Sequence, residues 1–382
     1  MKLAVPMERL SDESRVAISP ETVRKLVTLG FDIVIEGGAG NAAAFNDDVY
    51  KEAGASISFD ISSIITGADL VLKVRGPDES AGDDLSQYSA GNILIASLSA
   101  LGNLEAMKKL AATGVTAFAM ELMPRITRAQ SMDILSSQSN LAGYQAVLDA
   151  AGVLGRAYPM MMTAAGTIPP AKVFVMGVGV AGLQAIATAK RLGAVVTATD
   201  VRPTTKEQVE SLGGKFLEID AEMEKDAQTE GGYAKEMPPE YLTKQKEVVA
   251  EHIKKQDVVI TTALIPGRQA PVLVTEEMVA SMLNGSVIID LAVEAGGNCP
   301  LSQLGKTIRS GGVSIIGPAN MPSRIAEDAS KLFAKNLLNF ITPLVDVETK
   351  SLSIDWDDEI IQGTLVCKDG QVVHPRLNIE GS

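Results

Sequence analysis

Lys172-Val-Phe-Val-Met176, Gly177-Val-Gly179-Val-Ala-Gly182 and Leu183 to Leu192 follow one another without a break: an apolar run, a GxGxxG turn and a helix-like stretch. The glycines stand where a strand must turn tightly into a helix and where a pyrophosphate can approach bare backbone at that helix's N-terminus. Gly193 falls at the position of a C-cap glycine, and Ala194 to Thr199 reads as the next strand. Asp200 follows Gly182 by 18 residues (200 − 182). A carboxylate there can accept from the adenosine ribose hydroxyls and would repel a 2′-phosphate, so the residues imply NAD(H) rather than NADP(H). Arg202, two residues on, is the feature that weakens this discrimination.

Composition narrows the field further. With 382 residues, 46% of them hydrophobic, the chain has material for two to three domains with substantial cores. A net charge of −13, with no local block of Lys and Arg, argues against nucleic acid or an anionic lipid surface as a direct partner. The N-terminus meets Pro6, Glu8 and Arg9 before a signal-peptide core can form, and no stretch reaches the roughly 18 continuous apolar residues of a membrane span. Cys299 and Cys367 lie far apart without metal-ligand spacing, which implies reduced thiols in the cytoplasm and no metal site.

Outward from the glycine turn, the chain alternates extended and helical runs. On the N-terminal side, strands are expected at Lys2 to Pro6, Phe31 to Glu36, Asp69 to Val74, Asn92 to Ser97 and Val115 to Met120. Helices are expected from Ser19-Pro20-Glu21 to Leu29, stopped by Gly30, and over Leu104 to Ala112. Ser137 to Tyr158 reads as a connecting helix, followed by a linker through Met160-Met-Met162, Gly166 and Pro169-Pro170. Beyond the turn come strands at Lys215 to Ile219, Asp257 to Leu264, Ser286 to Leu291 and Val313 to Ile316, then a long helix from about Ser323 to Ile341. The fold class is therefore α/β: two Rossmann-like domains with parallel sheets, separated by a cleft and joined by long helices. Residues 135–320 form the NAD(H)-binding domain; residues 1–134 with a C-terminal return over 321–382 form the other.

Two segments break the pattern. Asp220 to Pro239 is long, polar and irregular, and its Gly231-Gly232-Tyr233 suits a lid closing an aromatic over a ligand. The second is Pro124-Arg125-Ile126-Thr127-Arg128-Ala-Gln130-Ser131-Met132-Asp133-Ile-Leu-Ser136-Ser137, dense in polar groups at the end of the first domain. Such a cluster is expected at the mouth of a ligand-binding cleft, with some of it explained by helix capping.

These motifs, together with Gly231-Gly-Tyr-Ala-Lys235, Thr261-Thr-Ala-Leu-Ile-Pro-Gly267 and Asp290 to Asn298, carry a resemblance over nearly the whole chain. The sequence resembles the NAD(H)-binding component of the proton-translocating nicotinamide nucleotide transhydrogenases. The resemblance implies that Arg125, Gln130, Asp133 and Ser136 belong to a polar loop at the nicotinamide end, with Ile126, Thr127, Ser131 and Met132 of that loop counted among the cofactor contacts. It implies a pyrophosphate turn at Val178 to Val180, flanked by Gly177 and Gly182, and adenosine ribose contacts at Asp200, Val201 and Arg202. Tyr233 matches a mobile-loop tyrosine; Gly232, Gln245 and Leu264 match further nucleotide contacts. Arg125, Gln130, Asp133, Ser136 and Tyr233 are the set expected to act in the reaction, Gln130 by reaching a partner's nucleotide and Asp133 by orienting Arg125. The same resemblance implies a homodimer that binds NAD(H), docks onto an NADP(H)-binding partner and a membrane-spanning partner, and sits in the cytoplasm peripheral to the inner membrane.

The chain also resembles alanine dehydrogenase, through Arg15-Val-Ala-Ile-Ser-Pro20 and Leu72-Lys-Val74. Chemistry separates the two. Reductive amination moves a proton as well as a hydride and needs a positioned acid or base, most often His. Neither His252 nor His374 lies in Leu94-Ile-Ala-Ser-Leu-Ser-Ala100, where the resemblance places the dehydrogenase's histidine. Exchange of a hydride between two nicotinamides has no such requirement. Both histidines are expected to be partly exposed helix or tail residues, and Arg15 and Lys73, carboxylate ligands in the dehydrogenase, to be mainly structural. A transhydrogenase component, a soluble amino-acid dehydrogenase and a noncatalytic NAD-sensing module are the functions compatible with the sequence.

Overall fold

The computed structural model describes residues 1–225, 227, 235, 237–265 and 267–377. It divides into two compact units: Met1–Gln138 with the chain from Ser323 onward, and Ser139–Pro322.

The unit Ser139–Pro322 is built on a sheet in the order Lys215–Phe216, Val195–Thr199, Lys172–Met176, Val258–Thr261, Val287–Asp290, Val313–Gly317, Lys306–Ser310. All neighbours are parallel except the last pair. Val173, Phe174, Val175 and Met176 are all buried, as befits a strand covered on both faces. The strand Lys172–Met176 is also where the order reverses, since the chain continues to Val195–Thr199 on one side and to Val258–Thr261 on the other. In such sheets ligands bind beyond the carboxyl ends of the strands at that switch point. Gly177 is the first residue past that end.

The other unit holds an eight-stranded sheet: Gln371–Val372, Leu365–Lys368, Thr116–Ala119, Ile93–Ser97, Leu70–Arg75, Lys2–Val5, Asp32–Glu36, Ser56–Ser58. Its six N-terminal strands are parallel, and the two C-terminal ones are added antiparallel. The helix Pro20–Thr28 starts at a Ser19 capping box with Thr22 and ends before Gly30, whose φ of +97° suits glycine. The helix Ala326–Ile341 buries Phe333, Leu337, Phe340 and Ile341 in the core with Leu3, Ile33 and Phe118. Phe118 and Phe340 meet edge to face at 5.4 Å.

Several boundaries differ from the expectations. The connecting helix runs Ile134–Val153, three residues earlier at its start, because Asp133 accepts from the Ser136 backbone N–H at 3.1 Å and caps it. The stretch expected as linker is a hairpin of Met161–Thr163 with Gly166–Ile168, its strands exposed along their length. The strand expected to reach Leu264 stops at Thr261, because Thr262 and Ala263 turn away to other partners described below. The strand Lys215–Phe216 is two residues long where five were expected. Among the described residues no helix is long and apolar enough to cross a membrane.

Candidate functional site

The glycine turn is tight for different reasons at each glycine. Gly177 has φ +96°, and a Cβ there would lie 2.6 Å from Thr262 Oγ1. A Cβ on Gly182 would lie 2.0 Å from the Gly177 carbonyl oxygen, so this glycine lets the helix Val180–Arg191 close against the turn. Gly179 is different: its φ of −78° suits any residue, and a Cβ there would meet nothing within 4 Å. It is the helix N-cap, and no side chain caps the helix. The orphan N–H groups of a first helical turn, the positive end of the helix dipole and open space thus coincide at Gly179 and Val180, an arrangement that fits a phosphate. Val178 differs from the expectation for the turn, because its N–H already donates to Asp200 Oδ2 at 2.7 Å.

Asp200 is engaged beyond that bond. Arg202 donates from its backbone N at 2.9 Å and from Nε at 2.8 Å to Oδ1, and from Nη2 at 2.7 Å to Oδ2. An ionised carboxylate offers about four acceptor positions, and four donors occupy this one. A ribose hydroxyl therefore reaches Asp200 by displacing an Arg202 bond. The pair also holds the guanidinium above its ordinary pKa through the hydrogen bonds to Asp200. Val201 is half-buried beside the pair, Gln245 half-buried on the helix Pro239–Ile253, and Leu264 is exposed. Gly232 and Tyr233, and with them the expected lid, lie outside the described residues.

The polar loop belongs to the other unit and is anchored from below. Thr127–Met132 forms a 3-10 turn whose Met132 is buried in the core and whose Ile126 packs against it. The Ser131 carbonyl accepts from Asn336 Nδ2 at 2.8 Å and Asn339 Nδ2 at 2.9 Å, both on the helix Ala326–Ile341. Arg128 forks onto Asp358 with two bonds of 2.7 Å. Asp133 accepts from the Ser136 hydroxyl at 2.5 Å as well as from its backbone, so Ser136 and Asp133 organise the start of the helix. Held in this way, Arg125, Thr127, Gln130 and Ser131 are exposed. Asn336, Asn339 and Asp358 were not legible as members of this loop's surroundings from sequence spacing.

Arg15 is buried and forks onto Glu13 at 2.7 and 2.6 Å, with Nη1 on Gln138 at 2.8 Å. Lys73, fully buried, pairs with Asp83 at 3.2 Å and Glu8 at 3.7 Å. The Glu121 oxygens accept from the Leu98 and Ala100 N–H groups at 3.0 and 2.9 Å and so fix the turn after the strand Ile93–Ser97. Among the described residues no cluster of His, Cys, Asp and Glu side chains could hold a metal ion.

The histidines sit elsewhere. His252 Nε2 lies 2.7 Å from Thr197 Oγ1, its ring edge-on to Phe174 at 4.7 Å. His374 is buried rather than an exposed tail residue, because Leu365–Lys368 and Gln371–Val372 extend the sheet just before it. Its Nδ1 accepts from the Arg376 N–H at 3.2 Å, which leaves the proton on Nε2, 3.2 Å from the Gly363 carbonyl. Burial lowers the pKa of both from the ordinary 6.5. Lowered histidines stabilise the fold above pH 6.5, and the unfolded chain takes up protons first as pH falls below it. Melting temperature is expected to fall as pH drops from about 6.5 through the lowered folded-state values. The His252→Gln/His374→Gln double variant should flatten that slope in thermal melts; an unchanged slope would place the pH dependence on other groups.

Models of the family described as "Alanine dehydrogenase/PNT" match the chain as an N-terminal domain over residues 4–142 and a C-terminal domain over 146–375. The chain belongs to the alanine dehydrogenase/PNT family. Within this family it is 59% identical over 384 residues to the first of the separate pieces that make up the NAD(P) transhydrogenase subunit alpha of Rhodospirillum rubrum, covering 100% of both chains. The crystal structure of a transhydrogenase from Sinorhizobium meliloti is 52% identical, with a TM-score of 0.87 over 98% of this chain and 100% of that one. A solved L-alanine dehydrogenase is 26% identical, with a TM-score of 0.82 over 99% and 98%. Two parallel-dominated sheets on the Rossmann plan are thus common to both branches of the alanine dehydrogenase/PNT family, and the fold alone does not choose between their chemistries.

Proposed function

We propose that this chain is the NAD(H)-binding component of a proton-translocating, Re/Si-specific transhydrogenase, presenting NADH to NADP⁺ held by a partner domain. The observation that carries the reading is the uncapped helix N-terminus at Gly179, open to a phosphate at the switch point of the sheet, in a chain 59% identical to a transhydrogenase subunit. When bound, NADH supplies the hydride that passes to the partner's nicotinamide. Gly179 and Val180 bind the pyrophosphate through backbone N–H groups, and Asp200 takes the adenosine ribose in exchange for an Arg202 bond. Arg125 and Ser136 hold the nicotinamide end, Asp133 keeps the start of the helix in place beneath them, and Gln130 contacts the partner's nucleotide. Tyr233 closes over the bound nucleotide. The chain supplies placement and exclusion of water rather than an acid or base. It acts as a homodimer on the cytoplasmic side of the inner membrane, held there by the membrane-spanning partner that translocates the proton.

Cofactor choice tests the reading directly. A 2′-phosphate brings a charge of about −1.5 to −2 to a position where Asp200 needs a donor. NADH is expected to bind at least about tenfold more tightly than NADPH by calorimetry, a difference of about 1.4 kcal/mol. Equal affinities would remove Asp200 from the ribose site.

A further inference from the structure

We infer that Thr262 and Asn298 are positioning residues for the nucleotide, acting through the backbone that borders the glycine turn. The inference rests on the nucleotide reading of that turn and adds two residues that neither the motif nor the resemblance assigns.

The arrangement starts at two fully buried strand ends, Thr261 and Asp290, which are register partners in the sheet. Asp290 Oδ1 accepts from Thr261 Oγ1 at 3.0 Å, Ala292 N at 3.1 Å and Asn298 N at 3.2 Å. Its Oδ2 accepts from Cys299 N at 3.0 Å and Ser302 Oγ at 2.5 Å. Five donors on one buried carboxylate wrap the segment 292–302 around it, which is how a buried anion is stabilised by hydrogen bonds. That wrapping delivers Asn298, itself fully buried, to the backbone just past the end of the neighbouring strand.

There the Asn298 amide imitates one more residue of a sheet. Its Oδ1 accepts the Ala263 N–H at 3.0 Å, and its Nδ2 donates to the Ala263 carbonyl at 2.9 Å and the Pro271 carbonyl at 2.8 Å. The preceding residue, Thr262, donates from its hydroxyl to the Gly177 carbonyl at 2.9 Å, and its N–H donates to the Met176 carbonyl at 2.9 Å. The Gly177 carbonyl is the atom that a Cβ on Gly182 would strike. One oxygen is therefore held by Thr262 on one side and sets the closeness of the nucleotide helix on the other. Leu264, which the resemblance counts as a nucleotide contact, stays exposed one residue beyond the Asn298 grip, as does Ile265. Exposed apolar side chains on a backbone pinned at both carbonyl and amide form a preorganised surface, which costs less to order on binding than a free loop.

The test uses the full chain, with NADH affinity by calorimetry and stability by thermal melt measured side by side. Thr262→Val removes one hydroxyl at constant shape, and Thr262→Ser keeps it. Thr262→Val is expected to weaken NADH binding about tenfold, the scale of one lost hydrogen bond in a preorganised site, with Thr262→Ser close to wild type. Asn298→Ala removes three bonds and is expected to weaken binding further while lowering the melting temperature. A purely structural role would lower melting temperature in both variants without moving the affinity of the folded protein. Wild-type affinity in Thr262→Val overturns the inference even where Asn298→Ala fails to fold. A wild-type chain that does not bind NADH overturns the nucleotide reading and this inference with it.

Discussion

Gly179→Ala is expected to leave the melting temperature of the chain nearly unchanged while weakening NADH binding at least about tenfold, the loss of one or more charge-assisted bonds to phosphate. Gly182→Ala is expected to do the reverse first, lowering stability before any ligand is considered. The contrast follows from geometry. At position 179 the backbone already has φ −78° and the added methyl meets nothing within 4 Å, so the fold tolerates it and the space it fills is the space a phosphate needs. At position 182 the methyl would stand 2.0 Å from the Gly177 oxygen, and the helix or the turn must shift. Overpacking of this kind costs roughly 3 kcal/mol, against about 1 kcal/mol gained in helix propensity. The clash wins by about 2 kcal/mol, which corresponds to a fall of roughly 4–8 °C for a unit of this size. Calorimetric titration and thermal melts of the two variants decide the matter; Gly179→Ala binding NADH like wild type would move the pyrophosphate away from the turn.

The second large effect separates the two branches of the family. The isolated chain is expected to show no pyruvate- and ammonia-dependent oxidation of NADH at any pH, since neither histidine bonds to any residue of Leu94 to Ala100 and that segment carries no other acid. Oxidation of NADH is expected to begin when a partner supplying bound NADP⁺ or an analogue is added. Gln130→Asn should then slow transfer by on the order of 100-fold with little change in NADH affinity, because a misplacement of about 1 Å between reacting groups has that scale. Gln130 is exposed on an anchored loop, so shortening it leaves the core intact. Steady pyruvate turnover by the chain alone would end the transhydrogenase reading.

The strand, glycine turn and helix at 172–191 were legible because their chemistry is local: an apolar run, three glycines at fixed offsets and a helical stretch ended by Gly193. The α/β class followed from the same alternation repeated along the chain. Asp200 was legible as a position but not in its surroundings, since the Arg202 fork and the Val178 N–H depend on how the turn folds back. The exposed hairpin left no signal because two three-residue strands joined at Gly166 are too short to show a period of two. Partners far apart in sequence gave no local sign at all: nothing near Ser131 points to Asn336 or Asn339, and nothing near Ala263 points to Asn298.

The two-segment construction of the Met1–Gln138 unit bears on how the polypeptide leaves the ribosome. Ser139–Pro322 is contiguous, so it has all its strands before the other unit has received its closing helix. The strand Thr116–Ala119 keeps an unpaired edge until Leu365 arrives opposite Phe118, 247 residues later (365 − 118). At roughly 5–20 residues per second of synthesis that edge stands open for about 12–50 seconds. Phe333, Leu337 and Phe340 are missing from the core over most of the same interval. The half of the molecule made first is thus the half finished last, and during translation its bare sheet edge and unfilled core are the surfaces that chaperones must shield.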